Sequence, residues 1–276
     1  MSVSIQPCLW LKADASEAAA FYCSIFPNAE ILQSNPFSVS LKLLERNFMV
    51  LNGAQEEINP SISFFVQCNT AEEVNALWES LSPGGKVMMP LNSYPWSARY
   101  GWCSDRYGVN WQLMLHEKTS DSIFPGLMFI DQNNGKASEA LEFYTGILPD
   151  AAVEFVSAYE KGEPDIEGNI KHARFTLAGR LFSCMESSAE FGFQFNHATS
   201  LVLTCDTQEE IDLLWHALSA EGSEGQCGWL KDKYGLSWQV VPASLGSLIS
   251  DPIKGGAAMQ RMLQMKKLVI SELEQG

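Results

Sequence analysis

Gly101-Trp102-Cys103-Ser104-Asp105-Arg106-Tyr107-Gly108-Val109-Asn110-Trp111-Gln112 occurs twice in this chain. It returns as Gly228-Trp229-Leu230-Lys231-Asp232-Lys233-Tyr234-Gly235-Leu236-Ser237-Trp238-Gln239, with Gly, Trp, Asp, Tyr, Gly, Trp and Gln unchanged. Two Trp and two Gly at fixed spacing mark an internal duplication, and a repeat is settled before any other reading. Each copy reads strand, turn, strand, closing a longer unit.

Working outward, the helix pattern Ala18, Phe21, Tyr22, Ile25 returns as Ala140, Phe143, Tyr144, Ile147. This is one apolar face at i, i+3, i+4, i+7. Each helix stops before a proline, Pro27 or Pro149. Asp14 and Ser16 stand at the first helix's cap position. Strands follow at Ser38 to Leu44 and Asn47 to Leu51, matched by Ala173 to Leu177 and Leu181 to Met185 around Ala178-Gly179-Arg180, a hairpin signal. Ser61 to Cys68 and Leu201 to Cys205 each lead into a second helix. Thr70-Ala-Glu-Glu73 and Thr207-Gln-Glu-Glu210 are capping boxes. The order per copy is β-α-β-β-β, β-α-β-β. The first copy has an insertion at Gly84 to Arg99, and the second an acidic loop at Glu160 to Gly168. Beyond Pro242, Asp251-Pro252 signals a helix start. Ala258, Met262, Met265, Val269 and Leu273 form one helical stripe. The expected units are 1–118, 122–243 and a helical tail, 244–276.

Of 276 residues, 46% are hydrophobic and 18% charged, which suits packed domains rather than disorder. The formal charge of -15 disfavours nucleic acid and anionic membrane surfaces as partners. No apolar run approaches the roughly 20 residues of a membrane span, and Met1 to Pro7 does not read as a signal peptide. Seven cysteines without CxxC spacing read as reduced, structural thiols in a cytoplasmic protein.

Pro7-Cys-Leu-Trp10, Glu17-Ala18 with Phe21-Tyr22, Phe26-Pro27-Asn28, Leu51-Asn52-Gly53, Phe193 to Asn196, and Gly225 to Pro242 resemble the vicinal oxygen chelate superfamily. Its members include glyoxalase I, bleomycin-resistance proteins and extradiol dioxygenases. Within it the chain resembles the PhnB-like group, labelled 3-demethylubiquinone-9 3-methyltransferase-like. The resemblance implies an α+β fold of two tandem domains. Each has two βαβββ modules curling a mixed sheet around a cleft, and a C-terminal helix follows. It also implies dimerisation, or pairing of the two copies within one chain.

Metalloenzymes of that superfamily place His, Gln or Glu on the first strand of each module and a Glu near the end of the last. Here those strands offer Pro7, Cys8 and Trp10, then Pro125, Met128 and Phe129, and the Glu position holds Gln112 and Gln239. His197 opens a strand that carries a ligand in metal-using relatives, but it has no partner at ligand spacing. The expectation is no metal and no cofactor. The methyltransferase label has no G-x-G-x-x-G turn behind it. Trp10, Trp102, Trp111, Trp229 and Trp238, with Phe129, His197, Gln112 and Gln239, are the candidate ligand-binding residues: aromatic walls with few polar groups suit a small molecule. The reading is a binder of a small apolar or aromatic metabolite. The alternatives are a metal-dependent lyase, isomerase or dioxygenase of the superfamily, and an assembly domain working through its tail.

Overall fold

The computed structural model describes residues 3–117 and 122–275. The junction between the two expected units, 118–121, falls outside the described residues, as do Met1, Ser2 and Gly276.

Four modules of one plan follow one another. The first is β1 (Val3–Leu11), α1 (Ala15–Ile25), β2 (Glu30–Ser34), β3 (Ser38–Leu43) and β4 (Arg46–Asn52). The second is β5 (Ile62–Cys68), α2 (Ala71–Leu81), β6 (Lys86–Tyr94), β7 (Ser97–Ser104) and β8 (Asn110–Leu115). The third is β9 (Ile123–Ile130), α3 (Ala137–Ile147), β10 (Ala152–Ala158), β11 (Ile170–Leu177) and β12 (Arg180–Ser187). The fourth is β13 (Thr199–Cys205), α4 (Gln208–Ser219), β14 (Ser223–Glu224), β15 (Trp229–Lys231) and β16 (Ser237–Pro242). The second half of each copy thus holds one more strand than its pattern announced, β6 or β14. The Gly84 to Arg99 insertion contains β6 and part of β7, because it continues the hairpin outward from the sheet.

The modules do not pair as they follow. The first pairs with the fourth: β1 lies antiparallel to β13, from Val3↔Cys205 to Leu9↔Thr199. The second pairs with the third through β5 and β9. Two eight-stranded sheets result. The terminal sheet runs β14-β15-β16-β13-β1-β4-β3-β2 and the central sheet β10-β11-β12-β9-β5-β8-β7-β6. Each sheet therefore takes one module from each sequence copy.

Strand alternation gives each sheet a core face and a concave face. Core faces of the two sheets meet: Phe48 of β4 packs its ring 5.2 Å from Phe64 of β5. Arg46, 1% exposed, donates to the Leu181 carbonyl at 2.9 Å, and its counterpart Arg180 donates to the Glu45 carbonyl at 2.7 Å. Helices cover the flanks. Asp14 caps α1 by accepting from Ser16 and Glu17 N–H. Thr207 and Glu210 cap α4 reciprocally, as the box requires. At α2 the Glu73 carboxylate instead reaches Asn69 N–H, one residue before the cap.

The tail is not one helix. It is α5 (Leu245–Ser250), α6 (Gly255–Gln264) and α7 (Ile270–Glu274). The expected stripe breaks at Met265, which is extended, because the backbone there is used elsewhere: Cys227 N–H donates to Met265 O and Gly228 N–H to Lys266 O. Gln208 of α4 holds Leu268 O and Ile270 N–H, and buries Leu268 between them.

Candidate functional site

On the terminal sheet, Cys8, Trp10, Ser200, Ser237, Gln239 and Trp229 alternate with core residues such as Leu9, Leu201 and Trp238, so they share the concave face. The sheet curls enough that Trp10 on β1 meets Trp229 three strands away, ring centroids 5.3 Å apart and tilted by 42°. Trp10 is pinned by its indole N–H to Asn52 O at 2.8 Å. His197, just before β13, stands edge-on to Trp229 at 5.9 Å. Its Nδ1 shares a 3.2 Å hydrogen bond with Ser237 Oγ, and its backbone N–H donates to Glu56. Burial, helped by the nearby Lys231 charge and opposed by Glu56, holds the imidazole below its ordinary value. His197 is therefore a neutral hydrogen-bonding group at neutral pH. A cleft of about 290 Å³ opens beside Trp10, lined by Lys12, Glu56, Glu57, Arg106 and Tyr107 among others.

Farther along this face Cys8, Ser200 and Gln239 form a closed cluster. Gln239 Nε2 donates to Ser200 Oγ at 3.0 Å, both touch the Cys8 thiol, and all three are buried. These are the strand positions from which superfamily metalloenzymes present ligands. Burial pushes the Cys8 thiol up to about 12, so it is not a thiolate at neutral pH. The other two donors are neutral and already bonded. A thiol, a hydroxyl and an amide already bonded to one another offer a divalent metal no carboxylate or imidazole donor, so this set fits one poorly. Among the described residues no group of three His, Cys, Asp or Glu side chains is placed to hold one.

Trp102 and Gln112 lie on the other, central sheet. Gln112 Nε2 donates to Ser63 at 2.8 Å and its Oε1 accepts from Tyr100 OH at 2.5 Å. The nine candidates are therefore split. Trp10, His197, Trp229 and Gln239 share one face, and Trp102 and Gln112 another.

Trp111, Trp238 and Phe129 line no cleft: each points to the core. Adjacent strand residues face opposite ways, so Trp111 and Gln112 cannot share a face, nor can Trp238 and Gln239. Trp111 Nε1 donates to Asp105 Oδ2 at 2.8 Å, where Tyr22 OH also donates at 2.9 Å; Tyr107 and Val109 N–H bind Oδ1. The second copy repeats this around Asp232, with Trp238, Tyr144, Tyr234 and Leu236. Phe129 packs edge-on against Phe195 and Tyr234. Gly108 and Gly235 sit at φ +85 and +82, which a side chain disfavours. The repeated motif is thus mainly a structural lock. The nine candidates leave out Glu56, Ser200, Ser63 and Tyr100. Strand alternation from Gln112 and Gln239 carries the signal for the two serines.

The fold and the two concave faces define a vicinal oxygen chelate protein in tandem form. The family model described as 3-demethylubiquinone-9 3-methyltransferase matches residues 3–114 and again 121–241, so the chain belongs to this PhnB-like family in two copies. A glyoxalase I mutant from Zea mays is similar in fold over 87% of this chain and 94% of its own, at 11% identity and TM-score 0.59. A PhnB protein from Bacillus cereus is 32% identical over 40% of this chain and 98% of its own, with TM-score 0.38. The fosfomycin resistance protein FosX from Listeria monocytogenes is 20% identical over 41% of this chain and 90% of its own, with TM-score 0.33. No functionally curated protein matches the chain. Among the described residues no helix is long and apolar enough to cross a membrane.

Proposed function

We propose that the terminal sheet binds one small, planar, largely apolar metabolite against Trp10 and Trp229, with neutral His197 as its polar contact and no resident metal. The observation behind this reading is the half-buried Trp10–Trp229 pair at 5.3 Å, with a cleft of about 290 Å³ beside Trp10. Two tilted indoles offer apolar area and ring faces, while Ser237 holds His197 in place beside them. The family's methyltransferase description enters no step here, because the parallel sheet with a Gly-rich turn that common methyl donors occupy is absent among the described residues.

The test begins with untagged protein. Small molecules released on denaturation are identified by mass spectrometry, and tryptophan emission is titrated with planar aromatic compounds. Binding is expected to quench emission in the wild type and to weaken at least about tenfold in Trp229→Ala and Trp10→Ala, a loss of about 1.4 kcal/mol each. Unchanged affinity in both variants sinks the proposal. Stoichiometric Ni, Zn, Mn or Fe that is lost in His197→Ala transfers the chain to the metal-dependent reading.

A further inference from the structure

The two copies finish one sheet edge differently. In the first, β6 runs along β7 past the repeated motif, pairing Met89 with Trp102 and Asn92 with Tyr100. In the second, β14 is two residues long and pairs only with Leu230 and Lys231, so it stops short of Trp229. Trp229 is the motif's counterpart of Trp102. An edge left open there would present bare backbone N–H groups.

The tail fills that place. Cys227 N–H donates to Met265 O at 2.7 Å and Gly228 N–H to Lys266 O at 2.8 Å. A Cβ on Gly228 would lie 3.4 Å from Leu268 Cδ1, as one on Gly101 would lie 3.1 Å from Leu91 Cα. Residues 265–268 thus stand beside Gly228 where residues 89–92 stand beside Gly101. Side chains fasten them. Leu268 is fully buried and Gln208 Nε2 donates to its carbonyl at 3.1 Å. Lys267 pairs with Asp212 at 2.5 Å and Lys266 with Glu224 at 3.5 Å.

What the tail holds is the loop that aims Trp229. Gly225 N–H donates to Trp229 O at 2.7 Å and Trp229 N–H to Gln226 O at 3.0 Å, so the loop closes on the tryptophan itself. The N–H groups between these bonds belong to Cys227 and Gly228, both left-handed at φ +59 and +82. A cysteine keeps that conformation where its surroundings impose it, and here the bond to Met265 O does so.

We infer that residues 265–268 are positioning residues for Trp229: docked as a borrowed edge strand, they set the 225–228 loop so that the indole stands against Trp10. The inference rests on Trp229 being a wall of the proposed binding face. Release of this segment lets the loop relax and parts the two indoles, so tail and face open as one local unit.

Full-length protein carrying 5-fluorotryptophan is followed by fluorine NMR without ligand, and amide hydrogen exchange is read on the same variants. Leu268→Ala and Gln208→Ala are expected to speed exchange of Cys227 and Gly228 N–H at least about tenfold. They are also expected to shift the Trp229 and Trp10 resonances while Trp111, in the other sheet, stays in place. Leu273→Ala is the control, because it empties another buried leucine of the same tail outside 265–268. It should lower the melting temperature about as much as Leu268→Ala and leave Trp229 unmoved. Leu268→Met should keep the wild-type spectrum. Unmoved Trp229 and Trp10 resonances in both Leu268→Ala and Gln208→Ala overturn the inference, as does unchanged exchange at Cys227 and Gly228. An equal shift in Leu273→Ala also overturns it. If Leu268→Ala fails to fold, Gln208→Ala decides. No ligand enters these measurements, so a failed binding titration counts against the wall itself and unmoved fluorines count against its tether.

Discussion

Asp105 and Asp232 show how one residue type ties the duplication together. Each carboxylate accepts from two backbone N–H groups on one oxygen and from a Trp and a Tyr on the other. Tyr22 comes from α1, which packs on the terminal sheet, while Asp105 belongs to the central sheet, so the bond crosses between sheets. Asp105→Asn keeps the shape but turns an amide donor toward the indole N–H, which cannot reverse its role. We expect a loss of about 2 kcal/mol in urea unfolding, and a similar loss for Asp232→Asn. A change under about 0.5 kcal/mol would show that the lock is idle. Burial raises both carboxyls above their ordinary value despite these bonds. The folded state then holds protons more firmly than the unfolded one, so this contribution falls as pH rises through the raised value. His197 has the opposite sign. Its folded value is lowered by burial, so below about pH 6.5 the unfolded chain binds the proton more readily and stability drops. Denaturant midpoints measured from pH 7 to pH 5 should fall less in His197→Gln than in the wild type.

At the scale of elements, the docked tail carries a clear expectation. Leu268 and Leu273 are buried, and Lys267 pairs with Asp212 of α4 at 2.5 Å. Ending the chain at Ser250 uncovers α4 and strips the partners from Cys227 and Gly228 N–H. Two buried Leu side chains are worth about 1.5–3 kcal/mol each, so thermal unfolding should begin at least about 5 °C lower. An unchanged melting curve would mean the tail is only loosely attached. The tail also marks a limit of what was legible in the sequence. Its apolar spacing reads as one helix, but periodicity cannot see that Met265 and Lys266 give up helix to pair with the backbone of the 227–228 turn. Likewise β2 and β10 escape individual notice, because as edge strands they are mostly exposed and lack alternation. The buried strands β3, β4, β11 and β12 were readable to within a few residues, since half their side chains must be apolar. The site was legible in part: the Trp-Gln pairs stood out, but only the strand's two-residue period says which member faces the ligand.

At the scale of the molecule, which module pairs with which was beyond local pattern, since all four present similar first strands. The arrangement has a direct test. Residues 1–118 alone contain one half of each sheet, leaving β1 and β5 without their antiparallel partners β13 and β9. That fragment should be found as a homodimer or an aggregate, and mixing it with 122–276 should yield a one-to-one complex by size-exclusion chromatography with light scattering. A stable monomer of 1–118 with native-like circular dichroism would contradict the observed pairing.

The crossing of modules has a genetic corollary. In a homodimer of a single-repeat chain, both concavities are encoded by the same codons, and any substitution strikes them equally. Here Cys8 and Gly126, or Val202 and Phe65, occupy matched stations in different halves of one reading frame. Each concavity can therefore change by substitution without the same change striking its sibling.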